Sequence, residues 1–86
     1  PFILKVGKVA EKWELYQAAI SKRREVVKKL AEKFDAVFVP SQEVFNQACK
    51  KAPAEYWVWD GIHPTVPGHE LLAREWVRQV EKRISF

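Results

Sequence analysis

The two histidines of the chain, His63 and His69, lie close in sequence to the carboxylate of Asp60. The segment that contains these three residues is rich in glycine and proline. Histidine takes up and returns protons near neutral pH because its reference pKa is about 6.5. A carboxylate that accepts a hydrogen bond from Nδ1 orients the imidazole and stabilises its protonated form. The spacing of Asp60 and His63 across Gly61 allows this contact within one turn. The residues alone therefore predict either a catalytic pair or a pair of turn and capping groups.

Three helices are predicted to position this segment. The first runs from about Glu11 to Phe34, where apolar residues recur at helical spacing, and the second begins with Ser41 as its cap. An ordered loop rich in proline and aromatic residues follows. The last helix runs from Thr65, its predicted N-cap, to about Arg83. Its apolar stripe comprises His69, Leu72, Ala73, Trp76 and Val80.

The sequence also contains one segment typical of a buried strand. Residues 36–39 (Ala-Val-Phe-Val) are uniformly apolar, and Pro40 follows them, as for a strand covered on both faces in a parallel sheet. Residues 2–4 resemble the end of another strand. A strand needs neighbours for its backbone groups, and the chain offers no obvious partner. The sequence thus predicts the helix-strand-helix-loop-helix part of an α/β fold, mostly helical as an isolated chain.

The composition is that of one small folded domain. Its 86 residues are 48% hydrophobic, which predicts a modest core. The formal charge is +4, but Glu25 and Glu32 interrupt the basic residues of the first helix, which indicates a solvated face and no nucleic-acid site. No apolar run approaches the roughly 20 residues of a membrane-spanning helix. The single cysteine, Cys49, is predicted to be a buried structural thiol.

A family resemblance comes from the segment that contains the histidines. Residues 60–65 read Asp-Gly-Ile-His-Pro-Thr, Gly-His follows at 68–69, and Leu-Leu-Ala at 71–73 precedes Trp76. This order resembles the last conserved block of the SGNH hydrolases, also called the GDSL esterase and lipase family. The resemblance implies a flavodoxin-like three-layer α/β/α fold and hydrolysis of carboxylic esters by a Ser-His-Asp triad. His63 would be the general base and Asp60 the residue that orients it, with a small acyl-ester substrate, no cofactor and no metal.

The sequence departs from that family in one respect. It lacks the Gly-Asp-Ser motif of the nucleophile, because Ser21, Ser41 and Ser85 lie in unrelated contexts, and it lacks the family's oxyanion-hole residues. We therefore expect residues 1–86 to be the carboxyl-terminal portion of a single SGNH hydrolase domain without its nucleophile half. Such a chain is expected to be inactive alone, to bind neither nucleic acid nor membrane, and to form a homo-oligomer through uncovered apolar surfaces.

Two other interpretations stay open at this point. The helices could form a small basic binding module for nucleic acid or protein, or Asp60, His63 and His69 could bind a metal, although a fourth ligand and a known spacing are missing. His69 is predicted to be a packed or capping residue. Aromatic residues near the pair could line an acyl or sugar pocket or anchor the loop, namely Tyr56, Trp57 and Trp59.

Overall fold

The structure, a computed structural model, describes residues 1–84. Within that range the chain forms five helices, α1 (Gly7–Glu11), α2 (Trp13–Lys33), α3 (Ser41–Ala48), α4 (Ala54–Trp57) and α5 (Val66–Arg83). The three predicted helices correspond to α2, α3 and α5. The short helices α1 and α4 were not predicted, because each is too short to show an apolar period. The chain is mostly helical, as expected.

A small core joins the amino-terminal segment to α3, α4 and α5. Its buried apolar residues come from the amino-terminal segment, from α3 and from the residue after α4, and they are Ile3, Leu4, Val6, Phe45, Ala48 and Val58. Leu71 and Leu72 of α5 pack against this cluster, and the Phe2 ring packs at a tilt of 50° on Phe45 with 4.6 Å between ring centroids. Helix α5 contacts both α3 and α4. The core therefore lies beneath the start of α5 and the loop that contains the histidines.

Gln42 joins the amino-terminal segment to α3. Its side chain is buried, and its amide accepts from the Ile3 N–H at 2.8 Å and donates to the Ile3 carbonyl at 3.0 Å. These two bonds satisfy the backbone groups that a neighbouring strand would otherwise pair. The extended residues 2–4 are thereby held in place without a sheet.

The predicted strand at residues 36–39 is not formed. Within residues 1–84 no strand is present, and the one isolated bridge joins Val58 to Pro64. The physical reason is the one noted from the sequence, since a strand exists only against a partner. Ser41 also does not cap α3 as predicted. Pro40 occupies the cap position, and the Ser41 hydroxyl donates to the Val39 carbonyl at 3.4 Å.

The predicted apolar face of the first long helix is largely uncovered. No residue of α2 is buried, and the exposed fraction is 41% for Val27, 47% for Leu30 and 68% for Phe34. An open apolar groove is lined by these three residues and by segment 36–39. The amphipathic spacing correctly predicted the helix and its apolar side. Which residues cover that side depends on parts of the fold outside this stretch.

The predicted stripe of α5 is rotated relative to the buried face. Leu72 and Val80 are half-buried as expected, whereas His69, Ala73 and Trp76 are exposed. The covered side comprises Gly68, Leu71, Leu72, Glu75 and Gln79. The prediction that His69 is packed is wrong, because the helix meets the core through Gly68 and Leu72. None of the helices in residues 1–84 has the length and apolarity needed to cross a bilayer.

Candidate active site

The loop that contains the candidate pair is closed at its base by Thr65. Its N–H donates to the Trp57 carbonyl at 2.9 Å, and its hydroxyl donates to the Tyr56 carbonyl at 2.6 Å. The same hydroxyl oxygen accepts from the Gly68 N–H at 3.2 Å, which confirms Thr65 as the N-cap of α5. Helix α5 and the end of α4 are therefore tied together where the loop begins and ends.

Inside this closure, Asp60 organises a tight turn. Its Oδ1 accepts from the backbone N–H groups of Ile62 at 3.0 Å and of His63 at 2.8 Å. Aspartate commonly forms such turns, because its short side chain reaches the backbone two or three residues ahead. The Trp59 N–H donates to the His63 carbonyl at 3.2 Å. Hydrogen bonds to backbone groups therefore close the turn at both ends, in addition to the contact between the Asp60 and His63 side chains.

The second carboxylate oxygen of Asp60 meets the histidine ring. The distance from Oδ2 to His63 Nδ1 is 2.5 Å. Partial desolvation acts to raise the pKa of Asp60, but hydrogen bonds from the Ile62 amide, the His63 ring and the His63 amide outweigh it and hold that pKa below its ordinary value. Asp60 is therefore ionised at neutral pH and can only accept, so Nδ1 carries the proton and donates.

This tautomer leaves Nε2 of His63 as a lone-pair acceptor. The His63 side chain is 62% exposed, against 25% for Asp60, and within residues 1–84 no hydrogen bond engages Nε2. A neutral imidazole with a free Nε2 and a carboxylate on Nδ1 is the arrangement of a general base. The pair can accept a proton from a hydroxyl placed on its open side.

Gly61 connects the turn to the core. Its φ is +98°, in a region that favours glycine, and its carbonyl accepts from the buried Leu4 N–H at 3.0 Å. A Cβ at this position would lie 2.7 Å from the Leu4 carbonyl oxygen and 2.9 Å from Val9 Cβ. Glycine therefore permits the close approach that fixes the Asp60 turn against the amino-terminal segment.

The aromatic residues near the pair have different roles. Trp57 is half-buried, and its indole N–H donates to the carbonyls of Ala48 at 3.0 Å and Ala52 at 3.3 Å, so it anchors the loop. Trp59 is 61% exposed and stacks on the His63 ring, with 5.7 Å between centroids and 22° between planes. Sequence reasoning placed Trp59 near the pair but missed this stacking. An aromatic residue four positions before the histidine was the available signal.

Other candidate residues are not joined to the pair. Cys49 packs against the core, and desolvation together with the nearby Glu55 charge raises the pKa of its thiol, as suits a structural cysteine. Within residues 1–84 no three His, Cys, Asp or Glu side chains are arranged to hold a metal ion, so the geometry does not favour the metal interpretation. Neither Ser21 nor Ser41 is hydrogen-bonded to His63, and Ser85 lies outside the described residues.

Known proteins provide comparisons for the chain that contains this exposed Asp-His pair. No family model matches the chain. The chain is 40% identical over 55 residues to an acetylxylan esterase from Geobacillus stearothermophilus, a match that covers 64% of this chain and 25% of that protein. It superposes on the crystal structure of a GDSL-like lipase from Parabacteroides merdae with a TM-score of 0.77 and 36% identity, over 92% of this chain and 36% of that one.

These similarities confirm that the chain is related to the SGNH, or GDSL, hydrolases. The names of the two relatives, an esterase and a lipase, are those of ester hydrolases. The chain spans about a quarter of the length of the first and about a third of the second. Neither similarity favours the basic binding module.

Proposed function

We propose that this chain contributes the aspartate and histidine of a Ser-His-Asp triad to a carboxylic ester hydrolase. The observation that carries the proposal is the hydrogen bond from His63 Nδ1 to Asp60 Oδ2, with the His63 ring open to solvent. The relationship to an esterase and a GDSL-like lipase supports it. The substrate would be an acyl ester.

In this mechanism His63 transfers protons while Asp60 stays ionised. Nε2 takes the proton of a serine hydroxyl as its oxygen attacks the ester carbonyl, and the resulting imidazolium gives that proton to the departing alcohol. Water then replaces the alcohol, gives a proton to Nε2 and attacks the acyl carbon. The imidazolium returns that proton to the serine oxygen as the acyl-serine bond breaks and the carboxylic acid leaves. Asp60 keeps the ring in the productive tautomer and stabilises the imidazolium.

The nucleophile and the oxyanion donors would come from residues outside this sequence, which contains no Gly-Asp-Ser motif. In this proposal residues 1–86 are the carboxyl-terminal portion of one hydrolase domain, built as a flavodoxin-like three-layer sandwich. Residues 36–39 would be a strand there, since their apolar composition suits one and a neighbouring strand would supply the missing partner. A neighbouring strand on one side of residues 36–39 would also cover the exposed apolar face of α2.

The isolated chain gives the first test. With no serine nucleophile beside His63, it should hydrolyse an unactivated ester such as ethyl acetate no faster than buffer. Turnover that survives purification and disappears in His63→Ala would show that the chain has its own nucleophile, and the proposed division of the triad would be wrong.

A chimera gives the second test. Residues 1–86 replace the matching segment of the Geobacillus stearothermophilus esterase, and the product is assayed on an acetyl ester. His63→Ala and Asp60→Ala should each lower kcat by several orders of magnitude, as loss of a triad member does elsewhere. His69→Ala is the matched control, because His69 is an exposed histidine on α5, and it should retain activity. An active His63→Ala chimera would refute the proposal.

A further inference from the structure

The His63 ring is held along one edge and over one face. Asp60 bonds its Nδ1 edge, and the indole of Trp59 lies against a face, with 5.7 Å between ring centroids and 22° between planes. That separation is within the range of favourable offset stacking. The backbone N–H of Trp59 also donates to the His63 carbonyl at 3.2 Å. Trp59 therefore contacts both the backbone and the ring of the same histidine.

Core packing does not account for Trp59. Its exposed fraction is 61%, and it does not belong to the buried cluster. Trp57, two residues earlier, anchors the loop through its indole N–H. The aromatic contact that the Trp59 side chain makes is with the His63 ring.

We propose that Trp59 is a positioning residue for His63, an inference that rests on the proposed triad function. The hydrogen bond to Asp60 holds a single ring atom, and the ring can still tilt about that bond. Stacking on the indole removes this freedom and directs Nε2 toward one side of the loop. The indole face also attracts a cation, so it stabilises the imidazolium that forms when His63 takes the serine proton.

Nuclear magnetic resonance of this chain tests the positioning directly, because the chain has an internal reference. The indole ring current should shift the His63 Hδ2 and Hε1 resonances upfield of those of the exposed His69. Trp59→Leu should move the His63 resonances toward those of His69, Trp59→Phe should keep part of the shift, and Trp76→Leu should leave His63 unchanged. The amide resonances of Ile62 and His63 report whether the turn is still folded. Unchanged His63 ring resonances in a folded Trp59→Leu chain would overturn the proposal.

The chimera described above tests the catalytic consequence. Trp59→Leu should lower kcat about three- to tenfold with little change in KM, because loss of one stacked aromatic contact weakens positioning and not substrate binding. Trp59→Phe should stay within about twofold, and Trp76→Leu should match the unsubstituted chimera. If His63→Ala abolishes activity while Trp59→Leu has full kcat, the role of Trp59 is refuted and the triad function stands. If His63→Ala remains active, the triad function itself fails, and so does a positioning role for Trp59 in it.

Discussion

Replacing Gly61 by alanine should destabilise the chain strongly, although the residue lies in a loop. Two physical effects act at this position. The backbone has φ +98°, which a residue with a Cβ adopts only at a cost. The new Cβ would also lie 2.7 Å from the Leu4 carbonyl oxygen and 2.9 Å from Val9 Cβ. Because the first of these atoms belongs to the backbone of a buried residue, it cannot rotate away.

The size of the effect follows from these two contributions. An unfavourable positive φ costs about 1–3 kcal/mol, and forcing an extra methyl group into a packed site costs about 1–3 kcal/mol more. A shift that relieves the clash would also strain the bond from the Leu4 N–H to the Gly61 carbonyl, which is 3.0 Å long. Each kcal/mol lowers Tm by about 4–8 °C in a domain of this size. We expect Tm to fall by at least about 10 °C.

Gly7 provides a matched control for the first effect. Its φ is +59°, but a Cβ there would meet its nearest atoms, in Asp60, at 3.8 and 3.9 Å, which is ordinary contact. Gly7→Ala should therefore show the backbone cost alone. Urea unfolding followed by circular dichroism should rank Gly61→Ala below Gly7→Ala by about 1–3 kcal/mol. Equal stability of the two variants would refute the close approach of Gly61 to Leu4.

Three further predictions concern the cap, the carboxylate and the open groove. Thr65→Ala should lower the free energy of unfolding by about 1–2 kcal/mol in the same urea experiment, because its hydroxyl both caps α5 and bonds to α4, while Thr65→Ser should recover most of the loss. The pKa of the Asp60 carboxyl, measured by carbon-detected magnetic resonance, should lie below that of an ordinary aspartate. The ionised carboxylate then stabilises the fold fully above the unfolded pKa of about 3.9. This stabilisation is lost as the pH falls through the lower folded pKa. If the free energy of unfolding of Asp60→Asn falls between about pH 5 and pH 2 as steeply as that of the parent, this prediction is contradicted. We also expect the isolated chain to self-associate through the apolar groove of α2, so sedimentation at tens of micromolar should show a dimer that Phe34→Gln weakens and Leu15→Gln, a change at an exposed residue outside the groove, does not. A monomer under these conditions would refute it.

The sequence was most informative where the interactions are short-range. Thr65 was predicted as the cap of the last helix, and the structure confirms it, because an N-cap is a contact between residues two or three positions apart. Asp60 and His63 are close for the same reason: a turn over Gly61 brings a carboxylate and an imidazole together. The catalytic role assigned to the pair remains a prediction.

The sequence was less informative wherever a distant segment decides the outcome. Residues 36–39 have the composition of a strand, but a strand requires a partner, and within residues 1–84 the structure does not pair this segment. The stripe expected on α5 included His69 and Trp76, whereas the helix is oriented by Gly68, where a Cβ would lie 2.0 Å from the Trp57 carbonyl oxygen. Periodicity shows that a helix has a face but not which side the core approaches.

Local sequence thus determined the three longer helices, the cap of α5 and the spacing of the Asp-His pair, because each depends on contacts within a few residues. Tertiary structure decided the rest. The Gln42 side chain is hydrogen-bonded to Ile3, 39 positions away in the sequence. The Leu4 N–H donates to the Gly61 carbonyl, which is also distant in the sequence. The Trp59 ring lies on the exposed His63 ring, whereas the Trp57 indole is directed inward. The indole N–H of Trp57 donates to the carbonyl groups of Ala48 and Ala52, whereas the Trp59 ring lies against His63, so two tryptophans of equal hydrophobicity take opposite positions.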